Sequence, residues 1–211
     1  MRLLIFITGL FLISCGHHSS EKTETKENKD SSATSPDTTA KKIPATPADS
    51  SAPVVPVLAT RVNEILGAQP GNKWHVLNDH EAKWIKGQFD YFIAPKRKQD
   101  PDYPYIAKAD FDGDGSTDIA AVVIDVKKMN YQLVVIMNPD EKTPRIITWK
   151  EDIAEDAAIS VEPKGVIEGM EGEKTKKFSM KTDGINVEYF ETASFVLYWN
   201  GSSFKRIQTG D

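Results

Sequence analysis

Apolar and polar positions alternate along this chain with periods that change near residue 105. In "VPVLATRVNEILGAQPG", Leu58, Val62, Ile65 and Leu66 recur at helical spacing, and the pattern stops at Gly67 with Pro70 just beyond. This predicts a helix. A second short helix is expected in "NDHEAKWIKGQF", with Asn78 or Asp79 as its N-cap. From Tyr105 onward the pattern turns strand-like. "IAAVVI" (119–124) and "YQLVVIM" (131–137) are uninterrupted apolar runs of strand length, which predicts a hairpin at the centre of a sheet covered on both faces. Shorter strand candidates follow at 145–149, 158–162, 177–180 and 185–190. In "SFVLYWNGSSFKRI" the Asn200-Gly201 pair predicts a hairpin with a tight primed turn. The stretch "KGVIEGMEGEKTKK" between these candidates reads as an exposed, mobile loop. The expected class is therefore α+β. Small N-terminal helices pack on a mostly antiparallel sheet, in one globular domain spanning 54–211.

Composition changes this picture little for the domain and strongly for the N-terminus. The chain has 211 residues, 39% hydrophobic and 27% charged, with a formal net charge of −5. An acidic balance gives no reason to expect nucleic acid as a partner. The single cysteine, Cys15, excludes an intrachain disulfide.

The first residues read "MRLLIFITGLFLISCG". Arg2 supplies a positive charge and Leu3 to Ile13 an apolar run of 11 residues. That is too short to span a bilayer as a helix, which needs about 20 residues. A secretory signal is the expectation, the alternatives being an ordinary cleaved signal or a buried apolar strand. The tetrad "LISC" resembles the lipobox of bacterial lipoproteins. That resemblance implies a signal peptide over 1–14, cleavage before Cys15, and acylation of the Cys15 sulfur. It further implies attachment to a membrane through the lipid, in the cell envelope and outside the cytoplasm.

Between His17 and Ala52 aromatic residues vanish and Ser, Thr, Lys, Glu, Asp and Pro dominate. Such a segment cannot bury enough surface to offset its ordering entropy, so 15–53 is expected to be a disordered tether. Fully extended it would reach roughly 130–140 Å. The adjacent His17 and His18 are read as solvated rather than metal-binding.

The chemistry concentrates in "ADFDGDGSTDIAAVVID" (109–125), where Asp110, Asp112, Asp114 and Asp118 fall within nine positions. Like charges this close disfavour a compact loop unless a cation lies between them. With Asp110 as position 1, carboxylates fall at 1, 3, 5 and 9 with Gly115 at 6, and the carbonyl of Ser116 at 7 can add an oxygen. Alternating oxygen ligands around a glycine turn suit calcium. An EF-hand is excluded, because position 12 is Ala121 rather than Glu and a strand follows where a helix is required. The pattern resembles the D-x-D-x-D-G-x-x-D loop of FG-GAP and VCBS-type repeats, the integrin-propeller class. The resemblance covers about 16 residues and implies a structural Ca²⁺ held by Asp110, Asp112, Asp114, Ser116 and Asp118. Propellers repeat this loop once per blade and this chain carries it once, so the propeller architecture does not carry over. The competing reading is a metal-free turn held by Asx hydrogen bonds.

No nucleophile, base and orienting group occur at motif spacing. His75 and His80 are five apart, unlike the i, i+4 pair of H-E-x-x-H. Trp74, Trp84, Trp149 and Trp199 are expected to be core or rim residues, with a sugar-stacking platform as the alternative. The expectation is a lipid-anchored, extracytoplasmic, non-catalytic domain with a structural calcium site and an unknown protein or polysaccharide partner. The runner-up is a hydrolase acting on envelope or extracellular polymer, and a third reading is an adhesion or inhibitor module.

Overall fold

The computed structural model describes residues 57–210. The signal segment, Cys15, His17, His18 and the tether lie outside these residues. The described residues fold as two antiparallel sheets with a few short helices, which bears out the expected small helices and antiparallel pairing and is richer in β structure than the α+β expectation.

Helix α1 (Val57–Gly67) forms where the sequence places it. Val62, Ile65 and Leu66 point into the core, and Asn63 Oδ1 accepts the Val76 N–H at 2.8 Å, tying the helix to the sheet. The second helix lies further along than expected. Asn78–Ala82 forms only a turn, and the helical segment comprises α2 (Lys86–Gln88), a π-helical turn (Phe89–Ile93) and α3 (Ala94–Arg97). Pro95 lacks an N–H and its ring crowds the carbonyl four residues back, so the widened turn ahead of it accommodates both defects. Among the described residues no helix is long and apolar enough to cross a membrane.

The first sheet contains β1 (His75–Val76), β2 (Ile106–Ala109), β3 (Asp118–Asp125), β4 (Asn130–Met137) and β5 (Arg145–Thr148). β3 is central. β4 pairs along one edge, from Ile119↔Ile136 to Asp125↔Asn130, while β2 and β1 share the other edge end to end. Every residue of β3 is buried. Because successive side chains alternate in direction, this requires cover on both faces. The cover comes from α1 and from the second sheet, whose Ile159, Ile185, Val187 and Leu197 join α1 and β3 in one apolar cluster.

The second sheet runs β6-β9-β10-β11-β7-β8, with β6 (Ala158–Glu162), β7 (Gly165–Glu171), β8 (Lys174–Met180), β9 (Gly184–Tyr189), β10 (Ala193–Trp199) and β11 (Phe204–Gly210). Two expectations fail here. The stretch read as a mobile loop is the β7–β8 hairpin, closed by a two-residue Gly172-Glu173 turn with Gly172 at φ +65°. Its side chains are mostly exposed, so it lacks the apolar run that would have marked it. The β10–β11 connection is not a two-residue primed turn. Trp199 pairs with Phe204, and Asn200 Oδ1 closes the intervening turn by accepting the N–H groups of Ser202 and Ser203, each at 3.0 Å. β7 meets β11 at Gly169, where a Cβ would fall 2.3 Å from Ile207 Cγ2 and 2.7 Å from the Gln208 carbonyl oxygen.

Position within these layers sets the energetic weight of a side chain. Leu133, fully buried in β4, should cost about 2–5 kcal/mol when cut to alanine. Val166→Ala, at 66% exposure on β7, should stay within about 0.5 kcal/mol. Denaturant midpoints of the two variants would check this. Equal losses would contradict the placement of the core.

Candidate metal centre

The acidic loop is the β2–β3 connection, and both its ends are fixed by pairing of Ala109 with Asp118. Phe111, the second residue of the loop, is completely buried and anchors it to the core. Gly113 and Gly115 take φ values of +83° and +91°, a region open to glycine at no steric cost. Across these two turns Asp110 and Asp112, two apart in sequence, converge with Asp118.

Asp110, Asp112 and Asp118 each offer a carboxylate oxygen, and these atoms lie within 4.8 Å of one another, a cluster that could hold a metal ion. A single ion with oxygen ligands at about 2.3–2.6 Å fits such a spacing, and an all-oxygen donor set suits hard cations. Asp114 is placed differently. Its Oδ2 accepts from the Asn138 side-chain amide at 2.8 Å and its Oδ1 from the Ser116 N–H at 2.8 Å. The Asn138 amide, with the Ser116 N–H, holds the Asp114 carboxyl below the usual carboxylate range. The loop also contains the Asx bonds of the competing reading: Asp110 accepts the N–H groups of Gly113 at 2.7 Å and Gly115 at 3.0 Å, and Asp112 accepts that of Asp114 at 3.2 Å.

Asp118 has a different environment. It is fully buried, and its two oxygens accept the backbone N–H groups of Phe111 and Asn138, each at 3.0 Å. Burial pushes its carboxyl above the ordinary value, and the charges of Asp112 and Asp114 push the same way; the two N–H donors oppose this without cancelling it. Asn138 therefore touches two of the four aspartates, and the sequence reading did not single it out. Asn138 takes a φ of +52°, a conformation that Asn adopts more readily than most residues, but only the structure shows that this Asn does so. Arg145 was also missed. Its Nη2 stands 3.6 Å from Asp112 Oδ2 across the sheet, and its guanidinium lies 5.3 Å from the Trp199 ring centroid.

The remaining candidates are dispersed. His75 Nε2 meets Glu81 at 2.8 Å, whereas His80 is exposed. Trp74 packs on the main core, and Trp84 donates to the Tyr105 hydroxyl at 2.8 Å. That hydroxyl donates in turn to Asp79, which also receives both arms of the Arg97 guanidinium at 2.6 and 2.9 Å. Burial alone would raise the Asp79 carboxyl, but the Arg97 fork and Tyr105 outweigh it and hold it low. Trp149 and Trp199 line one cavity of about 440 Å³ with Arg145 and Phe204. No family model, curated protein or solved structure matches this chain.

The raised Asp118 carboxyl has a definite pH signature. Without a cation the folded state binds the extra proton, so this group's contribution is fully present below the unfolded value of about 3.9 and is lost as pH rises through the folded value. A bound cation takes the proton's place. The rise in melting temperature given by divalent cation should therefore be smaller at about pH 4 than at neutrality. A cation-induced shift that is independent of pH would contradict this account.

Proposed function

We propose that this chain is a lipid-anchored, extracytoplasmic binding domain of the bacterial cell envelope, stabilised by one structural calcium ion. The observation that carries the reading is the convergence of Asp110, Asp112 and Asp118 at the head of β3. These residues occupy the positions that the FG-GAP/VCBS-type loop uses, and the calcium assignment rests on that pattern together with the oxygen donor set. Asp114 and the Ser116 carbonyl complete the set when the Asn138 amide gives way. The ion's role is structural: it neutralises mutually repelling carboxylates at the entry to the central strand.

The anchor is read from "LISC" and Cys15. A tether of polar composition would hold the domain clear of the lipid surface, where a non-catalytic surface meets a protein or polysaccharide partner. The binding reading is preferred to the hydrolase because the converging carboxylates are taken up by the ion in this account, which leaves none of them as a free acid or base.

Cys15→Ser should move the protein from the membrane fraction to the soluble or unprocessed pool, with fatty-acid labelling of the wild type lost. Equal membrane retention of the variant, without labelling of the wild type, would refute the anchor.

Calcium at tenfold its Kd should add about 1.4 kcal/mol to stability, magnesium less, and chelator should reverse the gain. In Asp112→Ala the calcium response should disappear while the metal-free form melts no lower than the metal-free wild type, since a repelling charge is gone. A melting curve indifferent to calcium and chelator, in protein shown by elemental analysis to contain no calcium, would sink the assignment.

A further inference from the structure

Beside the acidic loop a cleft of about 480 Å³ opens between that loop and the β10–β11 turn. Asp112 forms part of one wall, Lys181 and Thr182 after β8 another, and Tyr198, Trp199 and Asn200 the third. Three separate segments, distant in sequence, therefore converge on one concave surface. Its volume lies within the range of small-molecule sites.

The chemistry of the lining selects the ligand. Trp199 lines both this cleft and the neighbouring cavity of about 440 Å³, and residues of the latter hold its ring: Phe204 packs edge-on at 5.1 Å and Arg145 lies 5.3 Å from its centroid. Around it stand short-range polar groups. Thr182, whose hydroxyl is buried with no hydrogen-bond partner, and Asn200, whose carbonyl oxygen is committed to the turn, both line the cleft. Lys181 adds a cation to the lining, whereas Tyr198, next to Trp199 in the strand, turns its side chain to the opposite face of the sheet. A purely apolar ligand would leave these donors unsatisfied, at a desolvation cost for each. A phosphorylated ligand would need several converging cations, whereas this cleft offers Lys181 opposed by Asp112. A polyhydroxylated ring fits both demands, because its C–H face stacks on an aromatic surface while its hydroxyls both donate and accept at the rim.

We propose that this cleft is a saccharide-binding site. The inference rests on the binding-domain reading above and names its ligand class. Calcium in the adjoining loop fixes Asp112 and so one wall of the cleft, which makes saccharide affinity greater with calcium than with chelator.

The test applies the full chain, with calcium or with chelator, to an array of neutral, acidic and amino-sugar oligosaccharides, followed by titration of captured glycans against tryptophan fluorescence. At least one glycan should be captured. Trp199→Ala should weaken its binding by about tenfold or more, as loss of a central aromatic contact does. Since that change also strips Phe204 of its neighbour, Thr182→Val serves as the nearly isosteric companion, expected to weaken binding about fivefold with the melting temperature held. No capture in either condition, or affinities unchanged in both variants, would overturn the site. A preserved calcium melting shift without capture would remove this inference alone. Capture that is equal with calcium and with chelator would keep the site and overturn its coupling to the acidic loop.

Discussion

The buried carboxylate of Asp118 is the constraint around which the structure is organised. It opens a strand that is buried along its whole length, so the chain cannot relieve its charge by exposing it to water. Two backbone N–H groups satisfy its oxygens, one from Phe111 within the loop and one from Asn138 beyond β4. These bonds lock the β2–β3 connection to the end of the β3–β4 pair. They also place one negative charge beside Asp110 and Asp112, where a cation would turn repulsion into attraction. The loop geometry and the core of the first sheet are thus one arrangement, because moving Asp118 would move both.

The second sheet supplies what the first lacks. It covers one face of β3 through Ile159, Ile185, Val187 and Leu197. Its β10–β11 turn also brings Trp199 to the edge of the acidic loop. Arg145 bridges the two, 3.6 Å from Asp112 and over the indole ring. A guanidinium suits this place because its planar face can stack while its N–H edge meets a carboxylate. Solvent reaches Arg145, so the contact with Asp112 is worth little as a salt bridge and matters as a positional link.

The edges of the second sheet show how an exposed hairpin persists without a core of its own. β7 and β8 present Lys176 and Lys177 to Glu171 and Glu168, and lysines along an outer strand discourage pairing with another chain. The hairpin joins the rest of its sheet at Gln208↔Met170, made possible by the missing Cβ of Gly169.

The sequence by itself determined α1, the β3–β4 hairpin and the acidic loop, because each follows from local periodicity or from residue types at fixed spacing. Phe111, Asn138 and Arg145 were not legible, since each acquires its role from a partner across a sheet or turn. The β7–β8 hairpin escaped for a related reason: its strands are held by backbone pairing and a Gly172 turn rather than by apolar alternation. The Asn200-Gly201 pair promised a tight turn, but register between β10 and β11 lengthened the connection to the four residues Asn200–Ser203. Local pattern fixes which segments must be buried. Only tertiary packing decides which distant groups meet, because loop closure across 20 to 54 residues leaves no periodic trace in the chain, as the contacts of Asp118 with Asn138 and of Arg145 with Asp112 and Trp199 illustrate.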